Sequence, residues 1–201
     1  MRIGLFGGTF DPPHLSHLIL AERCREAAAL DEVRFLVSYL PPHKHDRTLS
    51  RFESRCEMVE LATFGQPALR VERIEAELPP PSYTAETLRV LRERQPRDEF
   101  HLIIGGDSLV DLPGWYQPQR VVEQAGIIAV PRPGIPVLTA SELAGQLSVP
   151  ESTVRLSIVD SPLLEISSTE IRHRVGANQS VRYLVPRAVE EYIREKRLYF
   201  V

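Results

Sequence analysis

The sequence predicts an α/β protein with a doubly wound, Rossmann-like, mostly parallel sheet of about five to six strands, helices on both faces and further helices at the C-terminal end. Three observations predict it: short apolar runs alternate with helical patterns, some runs are continuously apolar, and glycine pairs follow two of them. Alternating βα units with buried strands form parallel sheets. No repeat or linker interrupts the alternation, so residues 1–201 are expected to form a single domain.

The order of the elements follows from the positions of these runs. Apolar runs predict strands at 2–6, 32–38, 69–73, 100–104, 126–130 and 154–159. Helical patterns fall between and after them, at 14–29, 51–64, 83–94, 117–125, 141–147, 168–175 and 187–196. In the first helix the apolar face is supplied by Leu15, Leu18, Ile19 and Ala21, and the polar residues are Glu22, Arg23, Arg25 and Glu26.

Composition limits the classes of function. The chain is 43% hydrophobic and 25% charged with a formal net charge of −3, which argues against a nucleic-acid partner because such partners need a basic face. No apolar run approaches the roughly 18 residues of a membrane span, and no secretory signal is visible. Cys24 and Cys56 fall inside helical patterns, as reduced core thiols do. We expect a cytoplasmic protein without a membrane partner; the oligomeric state, a homo-oligomer included, stays open.

The stretch from Gly7 to His17 reads Gly-Gly-Thr-Phe-Asp-Pro-Pro-His-Leu-Ser-His and carries the most chemical information. A strand, a glycine turn and a helix N-terminus in that order favour anion binding, since free N–H groups and the helix dipole meet there. His14 and His17 project from one face of the first helical turn. They could cap the helix, bind zinc together with His43 or His45, or contact a phosphate chain. The zinc-protease pattern His-Glu-x-x-His is absent, which favours phosphate.

A second anion-binding pattern begins a late helix. Ser167 and Glu170 have the spacing of a capping box, as do Thr139 and Glu142 in a segment with no chemistry nearby. Consecutive hydroxyls followed by Arg172 add what a phosphate receptor needs: hydroxyls, free N–H groups and a guanidinium at one helix start. We expect both capping and phosphate binding here.

Further loops carry polar or aromatic side chains at the same predicted sheet edge. The run Gly105-Gly106-Asp107 follows the fourth strand, as the first glycine pair follows the first strand. Lys44 lies in a Pro-Pro-His-Lys loop that is either solvated or ligand-binding. Trp115, the only tryptophan, either anchors the core or stacks on an aromatic substrate. No Gly-x-Ser-x-Gly elbow and no Walker lysine loop occur, so the residues suit phosphoryl or nucleotidyl transfer, which needs positioning and charge neutralisation rather than a nucleophile.

These motifs resemble the bacterial nicotinate-nucleotide adenylyltransferases of the HxGH nucleotidyltransferase superfamily, related to class I aminoacyl-tRNA synthetases. Gly-Gly-Thr-Phe-Asp-Pro-Pro-His and Ile-Ser-Ser-Thr-Glu-Ile-Arg resemble the two superfamily signatures, and Pro-Pro-His-Lys, Pro-Ser-Tyr-Thr, Gly-Gly-Asp-Ser-Leu and the Trp115 loop resemble subfamily landmarks. The resemblance covers essentially the whole chain. Two positions depart from it: Ser16 stands where the family has glycine, and Gly106 where it has alanine.

The resemblance implies adenylyl transfer from ATP to nicotinate mononucleotide, giving deamido-NAD and pyrophosphate, with Mg²⁺ carried by ATP and no all-protein metal site. The catalytic residues it implies are His14, His17, Lys44 and Arg172. The implied ATP-binding residues are Gly7, Gly8, Thr9, Phe10, His14, His17, Gly105, Asp107, Ser167, Thr169 and Arg172. For nicotinate mononucleotide they are Thr9, Lys44, Tyr83, Thr84, Trp115 and Arg132.

Two other functions remain open on the sequence. One is an adenylyltransferase for another phosphate acceptor, nicotinamide mononucleotide or phosphopantetheine. The other is a non-catalytic nucleotide sensor, which would need the phosphate cradle but not the groups used at the transition state.

Overall fold

A computed structural model describes residues 1–40, 49–162 and 164–200 and confirms the α/β class. The strands found in these ranges are Arg2–Gly8 (β1), Glu32–Val37 (β2), Leu69–Glu72 (β3), Glu99–Gly105 (β4), Gly126–Val130 (β5) and Leu156–Ile158 (β6). The helices are Leu15–Ala27 (α1), Phe52–Thr63 (α2), Thr84–Arg94 (α3), Gly106–Asp111 (α4), Pro118–Gln124 (α5), Ala140–Leu147 (α6), Ser168–Gly176 (α7) and Arg187–Glu195 (α8). Every predicted strand and helix is present.

The six strands form one parallel sheet in the order β3-β2-β1-β4-β5-β6. In β1, Gly4 pairs with Val33 of β2 on one side and with His101 of β4 on the other. The strand order therefore reverses between β1 and β4, and ligands of such sheets bind in the crevice at that reversal, beyond the carboxyl ends of the strands. This geometry brings Gly7 and Gly105, at the ends of β1 and β4, to the same crevice.

Alternating side chains of the central strands pack into two cores, one on each face of the sheet. Leu102 and Ile104 of β4 belong to the cluster that also contains side chains of α3, α5 and α6, whereas Ile103 belongs to the cluster with α1 and α2. This is the period-two alternation of a strand covered on both faces. Each fully buried aliphatic side chain contributes about 1.5–3 kcal/mol, so both faces hold the crevice-forming strands in place.

A third cluster attaches the C-terminal helices to α2. Met58 of α2 packs with Ile171 and Val175 of α7 and with Val189 and Ile193 of α8. This packing places the start of α7, a predicted anion-binding segment, close to the loop that follows β1.

The structure also contains elements that the sequence patterns did not predict. Helix α4 and the single 3-10 turns at Ile74–Glu77, Leu112–Gly114 and Glu151–Thr153 are too short to show a helical period. Strand β6 is shorter than the predicted 154–159 and is half exposed at the sheet edge. Among the helices in the described ranges, none is long and apolar enough to cross a bilayer.

Candidate active site

Two neighbouring cavities open at the strand reversal. The large one, of about 1590 Å³, is lined by these predicted residues: Gly7, Gly8, Thr9, His14, His17, Tyr83, Thr84, Gly105, Asp107, Trp115, Arg132 and Ser167. The small one, of about 140 Å³, is lined by Phe10, Thr169 and Arg172, with Thr9, His17 and Ser168 shared between the two. All predicted site residues thus converge on adjoining spaces except Lys44, which lies outside the described residues.

The two signature histidines contact each other directly. The backbone N–H of His14 donates to Nδ1 of His17 at 3.2 Å, and the two rings stack with centroids 3.6 Å apart. Because Nδ1 of His17 accepts a hydrogen bond, the neutral ring carries its proton on Nε2. Burial lowers the pKa of His14 to about 4, and burial together with His14 lowers the pKa of His17 well below its ordinary value. Near pH 7 the free protein therefore presents two uncharged imidazoles.

Aromatic rings and a glycine fix the position of His17. Its ring packs edge-on against the rings of Phe10 and Phe6, with centroid separations of 5.1 Å and 5.9 Å. A Cβ on Gly8 would lie 2.7 Å from the Phe10 ring, so this packing requires glycine there. At Gly7, by contrast, a Cβ would meet nothing within 4 Å, because that side of the backbone faces the large cavity.

The start of α7 is bonded to the loop that follows β1. Ser167 Oγ accepts from the Glu170 N–H at 3.1 Å, the predicted cap. Ser168 Oγ donates to the Pro12 carbonyl at 2.8 Å. Arg172 donates from Nη1 to the Asp11 carbonyl at 2.7 Å and from Nη2 to Thr169 Oγ1 at 3.3 Å. The two predicted anion-binding segments therefore form one continuous site, with Ser168 as a contact that sequence reasoning did not single out.

Asp107 and Arg132, which the sequence assigned to different substrates, form an ion pair. Arg132 Nε lies 3.4 Å from Asp107 Oδ1, and a Cβ on Gly105 would lie 2.5 Å from the same oxygen. Glycine at the end of β4 thus lets the carboxylate fold back over the strand end and meet the guanidinium.

Three aromatic side chains, those of Tyr83, Trp115 and Tyr116, also line the large cavity. The rings of Tyr83 and Tyr116 stack 4.3 Å apart, and Gln117 Nε2 donates to the Tyr116 hydroxyl at 2.9 Å. Trp115 packs against the core, which confirms the first interpretation of this residue; it also lines the cavity, and its stacking on an aromatic substrate stays a prediction. Tyr116 was missed by sequence reasoning, although it is adjacent to the one tryptophan.

Several buried polar atoms around the large cavity have no hydrogen-bond partner among the described residues. They include His14 Nδ1 and Asp107 Oδ1, the latter held only by its 3.4 Å ion pair with Arg132, and both residues line this cavity. Buried polar atoms in native proteins are nearly always paired, so such a cluster marks a ligand-binding surface. Glu75 lines the cavity too: burial raises its pKa to about 7, against a hydrogen bond from the Tyr39 N–H at 3.1 Å that lowers it. No sequence motif pointed to Glu75.

Sequence reasoning also missed two buried charged residues next to the cavities, Asp11 and Arg55. Asp11 is 1% exposed and accepts hydrogen bonds from the Tyr199 hydroxyl and the Ser50 N–H. Arg55 is 1% exposed in the same region. One signal was present for Arg55: it lies on the apolar stripe of α2, one turn after Phe52, where a cation is out of place unless it has partners.

No cluster of metal ligands was found around the histidine pair. Among the residues of the described ranges, no group of three His, Cys, Asp or Glu side chains could hold a metal ion. His43 and His45, either of which could join the pair in a zinc site, lie outside those ranges.

Comparison with known proteins agrees with this geometry. The Cytidylyltransferase-like family model matches residues 5–174. A Thermus thermophilus protein named "Probable nicotinate-nucleotide adenylyltransferase" is 45% identical over 199 residues, 99% of this chain and 100% of its own. An Exiguobacterium sibiricum protein of the same name is 43% identical, over 99% of each chain.

A solved structure shares the fold. Plasmodium falciparum nicotinic acid mononucleotide adenylyltransferase, complexed with NaAD, superimposes with a TM-score of 0.78 at 18% identity, over 98% of this chain and 97% of that one. From the family model and the extent of identity to these relatives, the chain belongs to the nicotinate-nucleotide adenylyltransferases, within the cytidylyltransferase-like family.

Proposed function

We propose that this protein transfers the adenylyl group of ATP to nicotinate mononucleotide, giving deamido-NAD and pyrophosphate, and that residues 1–201 act as one nucleotidyltransferase domain. The observation that carries the proposal is the pair of cavities meeting at Thr9 and His17. One is small and polar, and the other is large enough for nucleotides and bears aromatic rings. A reaction between a triphosphate and an aromatic mononucleotide needs both.

The polar side of this site suits ATP. In our assignment Ser167, Thr169 and Arg172 hold the β- and γ-phosphates at the start of α7, where free N–H groups and the helix dipole favour anions. His14 and His17 contact the phosphates, with the Nε2–H of His17 nearest the α-phosphate. Gly7, Gly8 and Phe10 contribute backbone around them. Asp107 binds ribose hydroxyls beside Gly105.

The aromatic side suits the mononucleotide. In our assignment Thr84 and Trp115 frame the pyridine ring, Tyr83 lies beside them at the start of α3, and backbone N–H groups receive the ring carboxylate. Thr9, Arg132 and Lys44 would contact the rest of this substrate, and a lysine suits a bridge between its phosphate and the triphosphate.

The reaction needs no general base. The phosphate of the mononucleotide has a second pKa near 6, so it is mostly dianionic at neutral pH and its oxygen can attack the α-phosphorus directly. One P–O bond forms to the α-phosphorus, the bond to the β-phosphate oxygen breaks, and pyrophosphate leaves with that electron pair. The protein's task is to hold two anions in line and stabilise charge on the α-phosphate and the leaving group.

The residues fit a divalent cation that arrives with ATP. Carboxylates line the large cavity, but no three His, Cys, Asp or Glu side chains of the described ranges are grouped to hold a metal ion, so the ligands would be mainly phosphate oxygens and water. When bound, Mg²⁺ on the triphosphate neutralises charge on the leaving pyrophosphate.

Pyrophosphate release tests the proposal. The purified protein is mixed with ATP, Mg²⁺ and, in parallel, nicotinate mononucleotide, nicotinamide mononucleotide or phosphopantetheine at equal concentration. We expect the fastest release with nicotinate mononucleotide. Faster release with another acceptor would show that this acceptor, and not nicotinate mononucleotide, is the substrate. No release with any acceptor, despite ATP binding, would favour a nucleotide sensor.

A further inference from the structure

Arg55 of α2 is a buried cation whose hydrogen bonds within the described ranges all go to backbone carbonyls. Its guanidinium donates to Ser38 at 2.7 Å, Thr9 at 2.9 Å, Ser50 at 3.0 Å and Tyr39 at 3.4 Å. Thr9 follows β1, Ser38 and Tyr39 follow β2, and Ser50 precedes α2. One side chain therefore joins the exits of two adjacent strands to the start of a helix at the edge of the active site.

This arrangement is a costly way to fill a core position. Burial disfavours the charged form and lowers the pKa of Arg55, while the charges of Asp11 and Glu75 oppose that change without a direct ion pair in the structure. An apolar side chain would pack here without the desolvation cost. The planar fork of donors is what an apolar residue or a lysine cannot supply, since it holds several carbonyls in fixed directions at once.

The bond to Thr9 has a consequence on the other side of the peptide. In a planar trans peptide the C=O and the following N–H point in opposite directions, so the Phe10 N–H points away from the guanidinium. That N–H has no hydrogen-bond partner in the described part of the chain. Phe10 also has φ 50°, an uncommon conformation for a residue with a side chain, so the turn must be held by its surroundings.

We infer that Arg55 is a positioning residue, which fixes the Thr9–Phe10 peptide so that the Phe10 N–H donates to a phosphate group in the small cavity. Thr9 and Phe10 both line that cavity, together with Ser168 and Arg172. The inference rests on the proposed function only for the identity of the phosphate, taken as part of the ATP triphosphate.

A substitution pair tests the positioning role. Arg55→Lys keeps the positive charge and loses the planar set of guanidinium donors. Arg34→Lys is the matched control: Arg34 of β2 is also largely buried and bonds Glu32 and Glu72, but it lines neither cavity. We expect Arg55→Lys to raise the KM for ATP at least tenfold, with a smaller change in kcat, and Arg34→Lys to leave KM unchanged. A merely structural role would lower the melting temperature in Arg55→Lys with KM for ATP unchanged, and that result would overturn the inference.

A measurement on the unsubstituted protein covers the case in which Arg55→Lys does not fold. Inorganic tripolyphosphate is titrated into ¹⁵N-labelled protein, and the Phe10 amide resonance is followed by NMR. We expect a downfield shift of the Phe10 amide proton that saturates with binding; saturation without such a shift, or no binding at all, would overturn the inference. This arm uses no mononucleotide, so a protein that shows the shift but releases no pyrophosphate would contradict the proposed reaction alone.

Discussion

The hydroxyl of Tyr199 donates a 2.6 Å hydrogen bond to Oδ1 of Asp11, a residue 188 positions earlier in the chain. Asp11 is almost completely buried, and burial is also the main reason that the pKa of Tyr199 is raised. The contact joins the last residues of the structure to the loop that carries the first signature motif. It places part of the support for the active site at the far end of the sequence.

Replacing Tyr199 by phenylalanine tests this contact. Tyr199→Phe leaves a buried carboxylate oxygen without its donor, and we expect the free energy of unfolding to fall by about 1–3 kcal/mol in urea titrations. Tyr192→Phe is the control, since the Tyr192 hydroxyl makes a 2.7 Å bond to Glu57 in an exposed setting. An equal loss of unfolding free energy in the two variants would mean that burial of Asp11 does not strengthen the contribution of the Tyr199 hydrogen bond.

Adding a methyl group at Gly7 tests the cavity wall. A Cβ at Gly7 meets no atom within 4 Å, so the fold should tolerate Gly7→Ala, but the new methyl occupies space beside the backbone that we propose binds phosphate. We expect an unchanged melting temperature and at least a tenfold loss of ATP affinity, measured by calorimetry. Gly145→Ala, equally free of contacts but inside α6, should keep ATP affinity and gain about 0.5–1 kcal/mol of stability. Wild-type ATP affinity in Gly7→Ala would contradict the assignment of this wall.

Removing the His17 ring tests its role in charge stabilisation. We expect His17→Ala to fold normally and to lose turnover by about 10²-fold or more, as when a preorganised donor to the transition state is removed. His173→Ala, on the exposed side of α7, is the control and should keep full turnover. Steady-state pyrophosphate release measures both, and near wild-type turnover in a folded His17→Ala protein would refute the assignment.

The stability of the ligand-free protein should depend on pH through the same pair. The pKa of His14 is about 4 in the folded protein and near 6.5 when unfolded, so protons bind the unfolded chain first as the pH falls. The contribution of His14 to the free energy of unfolding, roughly 3 kcal/mol, is fully present above pH 6.5. It should be lost as the pH falls to 4. Urea titrations at several pH values measure it. His14→Asn should reduce the slope, and an unchanged slope would show that other groups control the acid sensitivity.

The serine that departs from the family pattern gives a further test. Ser16 lines the large cavity beside His17, so Ser16→Gly removes one hydroxymethyl group from the cavity lining, on the side where we propose that ATP binds. We expect turnover to be retained and the KM for ATP to change modestly. A collapse of turnover in the folded variant would mean that Ser16 has a catalytic role in this chain.

The sequence predicted the parts of the site that depend on local pattern. Glycines at strand ends, histidines at a helix start and hydroxyls before Arg172 each have a local physical meaning, and the structure brings them to two adjoining cavities. The parallel sheet was predictable as well, because β4 alternates between two cores and reads as an apolar run.

The supporting contacts could not be predicted in the same way. Arg55 binds the Thr9 carbonyl across 46 residues, and a carbonyl has no sequence signature. The bond between Tyr199 and Asp11 depends on how α8 packs against α2, which only the tertiary fold decides. Glu75 looks like an ordinary charged residue in a polar segment until its burial is known.

The bonds from Ser168 and Arg172 to the loop after β1 also constrain the order of assembly during synthesis. During synthesis the N-terminal part of a chain leaves the ribosome first. The central strands β1, β2 and β4 can pair once residue 105 has emerged, well before α7 exists. A nascent chain at that stage would have the glycine turn and the histidines but not Arg172, which we propose binds the phosphates. Triphosphate binding should therefore be acquired late, after most of the sheet is already formed.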